Sequence, residues 1–102
     1  MEPGSGNVFA DLDRPDADTH LLKAELVSRI DGIIRSRGLK QAQTAEIMGI
    51  SQPDVSRLLR GHFQDYSLER LFRLLQALGQ DVEIVIRKPP SNRPGQVHIA
   101  AG

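Results

Sequence analysis

Cysteine is absent from all 102 residues. Without thiols the chain can form neither a disulfide framework nor a thiolate metal site, and nothing argues for an oxidising compartment. Long hydrophobic runs are also lacking: none exceeds three or four residues, whereas a membrane-spanning helix needs about 20. The N-terminus has neither the basic start nor the apolar core of a secretory signal, so the expected location is the cytoplasm. An excess of charge of one sign is missing as well. Thirteen basic residues balance thirteen acidic ones, and the molecule lacks the overall positive field that many nucleic-acid binders carry. Three histidines, His20, His62 and His98, are scattered without ligand spacing, so no metal is expected. There is no nucleophile elbow and no phosphate-cradling glycine loop, so neither catalysis nor a cofactor is expected.

The charge that is present is unevenly spread. Residues 1–31 hold three basic and seven acidic side chains, a net −4; residues 32–62 hold five and two, a net +3; residues 63–102 hold five and four, a net +1. The length suits one domain with a modest core.

Residues 1–14 mix Gly, Asp and Pro around Val8, Phe9 and Ala10, too little apolar surface to order without a partner, and read as an N-terminal arm. From Pro15 the pattern changes. Leu22, Leu26, Ile30, Ile33 and Ile34 recur at three- and four-residue steps, which predicts a long amphipathic helix. Arg35 and Arg37 suit its last turn and Gly38 its termination. A second helix is expected over 41–48, with Ala45, Ile47 and Met48 for packing, stopped by Gly49. Ser51 reads as the N-cap of a third helix, with Pro53 in the first turn and Asp54 completing a Ser-x-x-Asp capping pattern, and Gly61 ends it after Arg60. A fourth helix begins behind Ser67, carries Glu69 in its first turn, buries Leu68, Leu71, Phe72, Leu74, Leu75 and Leu78, and stops at Gly79. Residues 81–87 alternate with period two and end at Pro89 and Pro90, the pattern of a strand. A lone strand needs a partner, either residues 96–100 across a Pro/Asn/Gly-rich loop or the same strand of a second subunit, and both are expected, as a small sheet spanning a dimer two-fold.

Two short helices crossing at about 90 to 120 degrees need a small side chain at the crossing, a residue able to take positive φ at the corner, and apolar anchors on the second helix. Ala45, Gly49 and Ile50 with Val55 and Leu58 meet these demands. The stretch from Gln41 to Arg57 resembles the lambda-repressor and Cro-like (Xre-type) regulators, whose helix-turn-helix often reads Gln-Ala-x-x-Ala-x-x-x-Gly-Ile-Ser-Gln-x-x-Val-Ser-Arg; every fixed position matches. Over a longer span, residues 7–12, 20–26 and 81–87 resemble the HigA-type antitoxin branch. Two positions depart from the pattern. Lys40 stands where a capping Thr or Ser is common, a loss of about 1 kcal/mol, and Thr44 replaces a commonly apolar residue.

On a helix starting after Ser51, Val55, Leu58 and Leu59 point inward and Gln52, Ser56, Arg57 and Arg60 outward. Gln52 is suited to pair with adenine and Arg57 with guanine, each contact carrying roughly 1 to 3 kcal/mol of discrimination. Lys40, Gln41, Gln43 and Arg60 are placed to hold phosphates, which fixes register without reading sequence. Ser51 completes the candidate DNA-binding set, although it and Asp54 read first as caps. Arg60 doubles as a dipole partner at the helix end.

The expectation is therefore a mainly α, lambda-repressor-like helix-turn-helix domain of about four helices over 15–79, followed by a β-strand or hairpin over 80–102 used in dimerisation. As a homodimer it would repress a promoter, its own being the expected one, by placing two recognition helices on a palindromic double-stranded DNA operator. The antitoxin resemblance implies a further partner, a small basic ribonuclease toxin docked by the acidic N-terminal segment. The competing expectation is an interaction module that keeps the fold and does not bind DNA.

Overall fold

A computed structural model describes residues 17–90, 92 and 94–99. The expectations for residues 1–14, for a helix start at Pro15 and for the far end of the tail lie outside them. Four helices follow one another: α1 (Ala17–Arg37), α2 (Gln41–Met48), α3 (Gln52–Leu59) and α4 (Leu68–Ala77). The helix α1 packs on α4 and on α3, and α2 packs on α3 and α4.

One continuous core explains this arrangement. Leu22, Leu26, Val27, Ile30 and Ile34 of α1 are buried against Ala45 and Met48 of α2, Val55 and Leu58 of α3, and Leu71, Leu74, Leu75 and Leu78 of α4 and its C-terminal end. The spacing of the α1 residues puts them on one face, and Ile33 at its margin is half-buried. Leu68 and Phe72, expected inside, are half-buried on the flank of α4. The 63–66 turn supplies two further core residues, Phe63 and Tyr66. Phe63 stacks on His20 with ring centroids 5.0 Å apart, and the Arg70 guanidinium lies 4.4 Å above the Tyr66 ring.

The ends of the helices carry their own stops. Gly38 has φ 63°, and the Leu39 N–H donates to the Ile34 carbonyl at 3.0 Å, the backbone bond that a left-handed terminating residue makes possible. Arg37 Nη1 donates to the Leu78 carbonyl at 3.0 Å and ties the end of α1 to the end of α4. Ser67 Oγ accepts from the Arg70 N–H at 3.0 Å and caps α4 as its sequence predicts.

Beyond α4 the described tail carries no strand. Val82 and Ile99 lean half-buried on the core, but no backbone–backbone hydrogen bond joins 81–87 to 94–99 among the described residues. Ile84, Val85, Ile86 and Val97 are exposed, Ile86 by 93%.

Candidate nucleic-acid interface

The geometry of the site is set by a corner. The helix α2 ends at Met48, and Gly49 takes φ 71°. Its N–H and that of Ile50 both donate to the Ala45 carbonyl, at 2.8 and 3.1 Å. Positive φ at this corner costs glycine nothing, and the chain turns within a few residues. Ser51 then caps the next helix, its hydroxyl accepting the Asp54 N–H at 3.1 Å. Ala45 is buried where α2 packs on α3, as a close crossing requires.

Val55 and Leu58 are wholly buried and fix the rotation of α3 about its own axis. The opposite face follows from helical periodicity. Gln52, Arg57 and Arg60 are exposed and Ser56 is half-buried. Gln52 opens the helix, and Arg60 is its C-cap, with Nε 3.4 Å from the Ser56 carbonyl. Ser51, exposed beside them, has its oxygen engaged as the cap. At the start of α2, Lys40, Gln41 and Gln43 form the second exposed group. Lys40 occupies the N-cap in extended backbone with φ −82°. Gln43 folds back so that its Oε1 accepts the Lys40 N–H at 2.9 Å, which supplies half of the cap that a Ser or Thr would have shared.

Two features of the site escape the motif pattern. Thr44 is completely buried, and its Oγ1 donates to the Lys40 carbonyl at 3.0 Å. The hydroxyl is therefore satisfied within the helix, so a polar residue is tolerated where apolar ones are common. The second feature is on α3: Arg57 Nη2 donates to Asp54 Oδ1. The hydrogen bond from Arg57, with a second from Ser51, holds the Asp54 carboxyl below its ordinary value, which favours the carboxylate form. The three-residue spacing of acid and base is a sequence signal for such a pair, but the capping pattern explained Asp54 first.

Among the described residues no helix is long and apolar enough to cross a membrane, and no three His, Asp or Glu side chains gather as candidate metal ligands. The family model described as "Helix-turn-helix domain" matches residues 8–87. A solved structure named "Putative XRE Family Transcriptional Regulator" is similar to this chain at 42% identity and a TM-score of 0.81, covering 86% of this chain and 100% of its own. No curated protein matches.

Proposed function

The chain belongs to the helix-turn-helix domain family that matches its residues 8–87, and on that footing we propose that it is a sequence-specific DNA-binding transcriptional repressor acting in the cytoplasm as a homodimer. One observation carries the reading. Burial of Val55 and Leu58 turns Gln52, Arg57 and Arg60 outward on a short helix that begins just past a sharp corner. A helix so presented enters a major groove with its N-terminal residues at the base edges. Gln52 and Arg57 read bases, while Lys40, Gln41, Gln43 and Arg60 hold the flanking phosphates, with Ser51 and Ser56 at the margin of the contact.

The tail supplies the argument for two copies. Residues 84–86 expose three apolar side chains in a row, and 81–87 make no backbone ladder with the described remainder of the chain. Pairing this segment with its counterpart in a second copy satisfies the backbone and covers the isoleucines. Two recognition helices then address half-sites about 34 Å apart, and the operator is palindromic.

The test is selection from a pool of duplexes with a randomised centre, at two salt concentrations. A palindromic consensus that loses one position in each half-site in Arg57→Ala supports the reading. Binding that is absent, or indifferent to sequence in parent and variant alike, leaves the fold as an interaction module. The antitoxin branch rests on the sequence resemblance and the acidic segment of residues 1–31 alone. Co-purification of a small basic ribonuclease encoded beside this chain supports it, and its absence from the complex leaves a plain repressor.

A further inference from the structure

A DNA-facing helix has most reason to exclude an acid, yet Asp54 lies in the first turn of α3, three residues before Arg57. Capping accounts for only part of its side chain, to which Ser51 gives the weaker of two hydrogen bonds. The cap is made by the Ser51 hydroxyl on the Asp54 backbone N–H, a bond available to any residue but proline at that position. The stronger influence on the carboxylate is the hydrogen bond it accepts from Arg57 Nη2, with the carboxylate 39% and the Arg57 side chain 53% exposed. We propose that Asp54 is a positioning residue, gripping one edge of the Arg57 guanidinium so that its other edge meets a guanine in the major groove. The inference rests on α3 being the groove helix.

A guanidinium carries five N–H donors in a rigid plane, and guanine offers two acceptors, O6 and N7, that match a pair of parallel donors. Both guanidinium edges able to make that paired contact include Nη2, which has one hydrogen on each. A carboxylate occupying one edge leaves the other complete. Arginine is long and has many rotamers, so an unrestrained fork must be ordered as it binds, whereas one held beforehand avoids that cost. The pair also cancels the charge of Arg57. The side chain then gains less from a nearby phosphate and more from matched acceptors, and discrimination rises relative to bulk affinity. The ionised state that this needs is the one present at neutral pH.

The experiment compares the full-length parent, Asp54→Asn, Asp54→Glu and Arg57→Ala on the randomised duplex pool and on one duplex selected by the parent. Asn retains the size of the side chain and the backbone N–H that Ser51 caps, and circular dichroism checks that helix content is kept. In the parent, a guanine in each half-site depends on Arg57. In Asp54→Asn the preference for that guanine falls by about three- to tenfold, part of what a bidentate contact carries. Binding to the unselected pool stays level or strengthens, because an acid has left a phosphate-facing surface. Asp54→Glu, which keeps the charge, retains more of the preference than Asp54→Asn. An unaltered guanine preference in Asp54→Asn overturns the positioning role and leaves the DNA reading intact, as does an equal weakening on every duplex. A parent that selects no sequence overturns both readings together.

Discussion

Two glycines offer the same substitution with opposite expected signs. Gly49 sits at the corner between α2 and α3 with φ 71°, and a Cβ added there meets nothing within 4 Å. No neighbour has to move in Gly49→Ala, so its cost is the left-handed conformation alone, about 1 to 2 kcal/mol. The smaller entropy of the unfolded chain offsets part of this and leaves a net loss of about 1 kcal/mol. Gly32 lies inside α1, is exposed, has no positive φ, and also meets nothing within 4 Å. There alanine gains its helix propensity, about 0.5 to 1 kcal/mol of added stability. For a domain of this size 1 kcal/mol moves the melting temperature by about 4 to 8 °C. Thermal melts followed by circular dichroism should therefore place Gly32→Ala above the parent and Gly49→Ala below it. Gly49→Asn should fall between Gly49→Ala and the parent, since asparagine tolerates the left-handed region. If Gly49→Ala melted with or above the parent, the corner would not be held by positive φ, and the account of how α3 is presented would fail.

Three further outcomes follow from named contacts. Ile84→Asn with Ile86→Asn should convert the proposed homodimer to a monomer in sedimentation without lowering the stability of the helical domain. Burial of each isoleucine contributes about 1.5 kcal/mol or more, so the dissociation constant should rise at least a hundredfold; an unchanged dimer would place the interface elsewhere. The Asp54 carboxyl, held down first by Arg57, should titrate by carbon-13 NMR below the ordinary value near 3.9. Its contribution to stability is then present above the ordinary carboxylate range and lost as pH falls through the lowered value. In Arg57→Ala the midpoint should move up, and a midpoint that stayed put would dismiss the pair. Thr44→Val removes a hydroxyl bonded to the Lys40 carbonyl, which still accepts the Thr44 backbone N–H at 2.9 Å. The change should cost no more than about 1 kcal/mol in urea unfolding, and a loss near 3 would mean that the hydroxyl holds something besides that carbonyl.

What was legible in the sequence was whatever local chemistry decides. The bounds of α2 follow from Gly49, and the start of α3 from Ser51 with Pro53, because caps and corners are made by residues a few positions apart. Of the expected inward set Val55, Leu58 and Leu59, periodicity gives the first two as wholly buried, while Leu59 is half-buried at the margin of the core. Phe63 and Tyr66 were not legible as core, since they lie in an irregular turn that shows no period, and only packing on His20 and beneath Arg70 explains them. Gln43 illustrates competition at the candidate site. An exposed amide beside a helix start reads as a phosphate contact, but the uncapped Lys40 N–H takes its carbonyl oxygen. The period-two run at 81–87 is as clear as any pattern in the chain, yet the described residues hold no strand there. A strand is a property of pairs, and the described residues of one copy supply no partner.

The charge pattern and the exposed tail bear on the same question. Five basic residues lie in the positive third of the chain, but Arg35 is paired with Asp31, Arg57 with Asp54, and Arg37 donates to the Leu78 carbonyl. Arg37 keeps its charge but lies at the end of α1, so at the candidate interface attraction to phosphate falls chiefly to Lys40 and Arg60. Two neutralised phosphates per copy give log K a slope against log salt of roughly −2, and two copies on one operator roughly −4. The slope counts neutralised phosphates, so its size reports whether one copy or the proposed two sit on the duplex. The uncharged pair Ile84→Asn with Ile86→Asn separates the copies without altering the electrostatics, and should bring the slope from about −4 to about −2. A steep slope retained by a proven monomer would show that cations outside the helix-turn-helix carry the contact, and the division of labour between Arg57 and its neighbours would have to be redrawn.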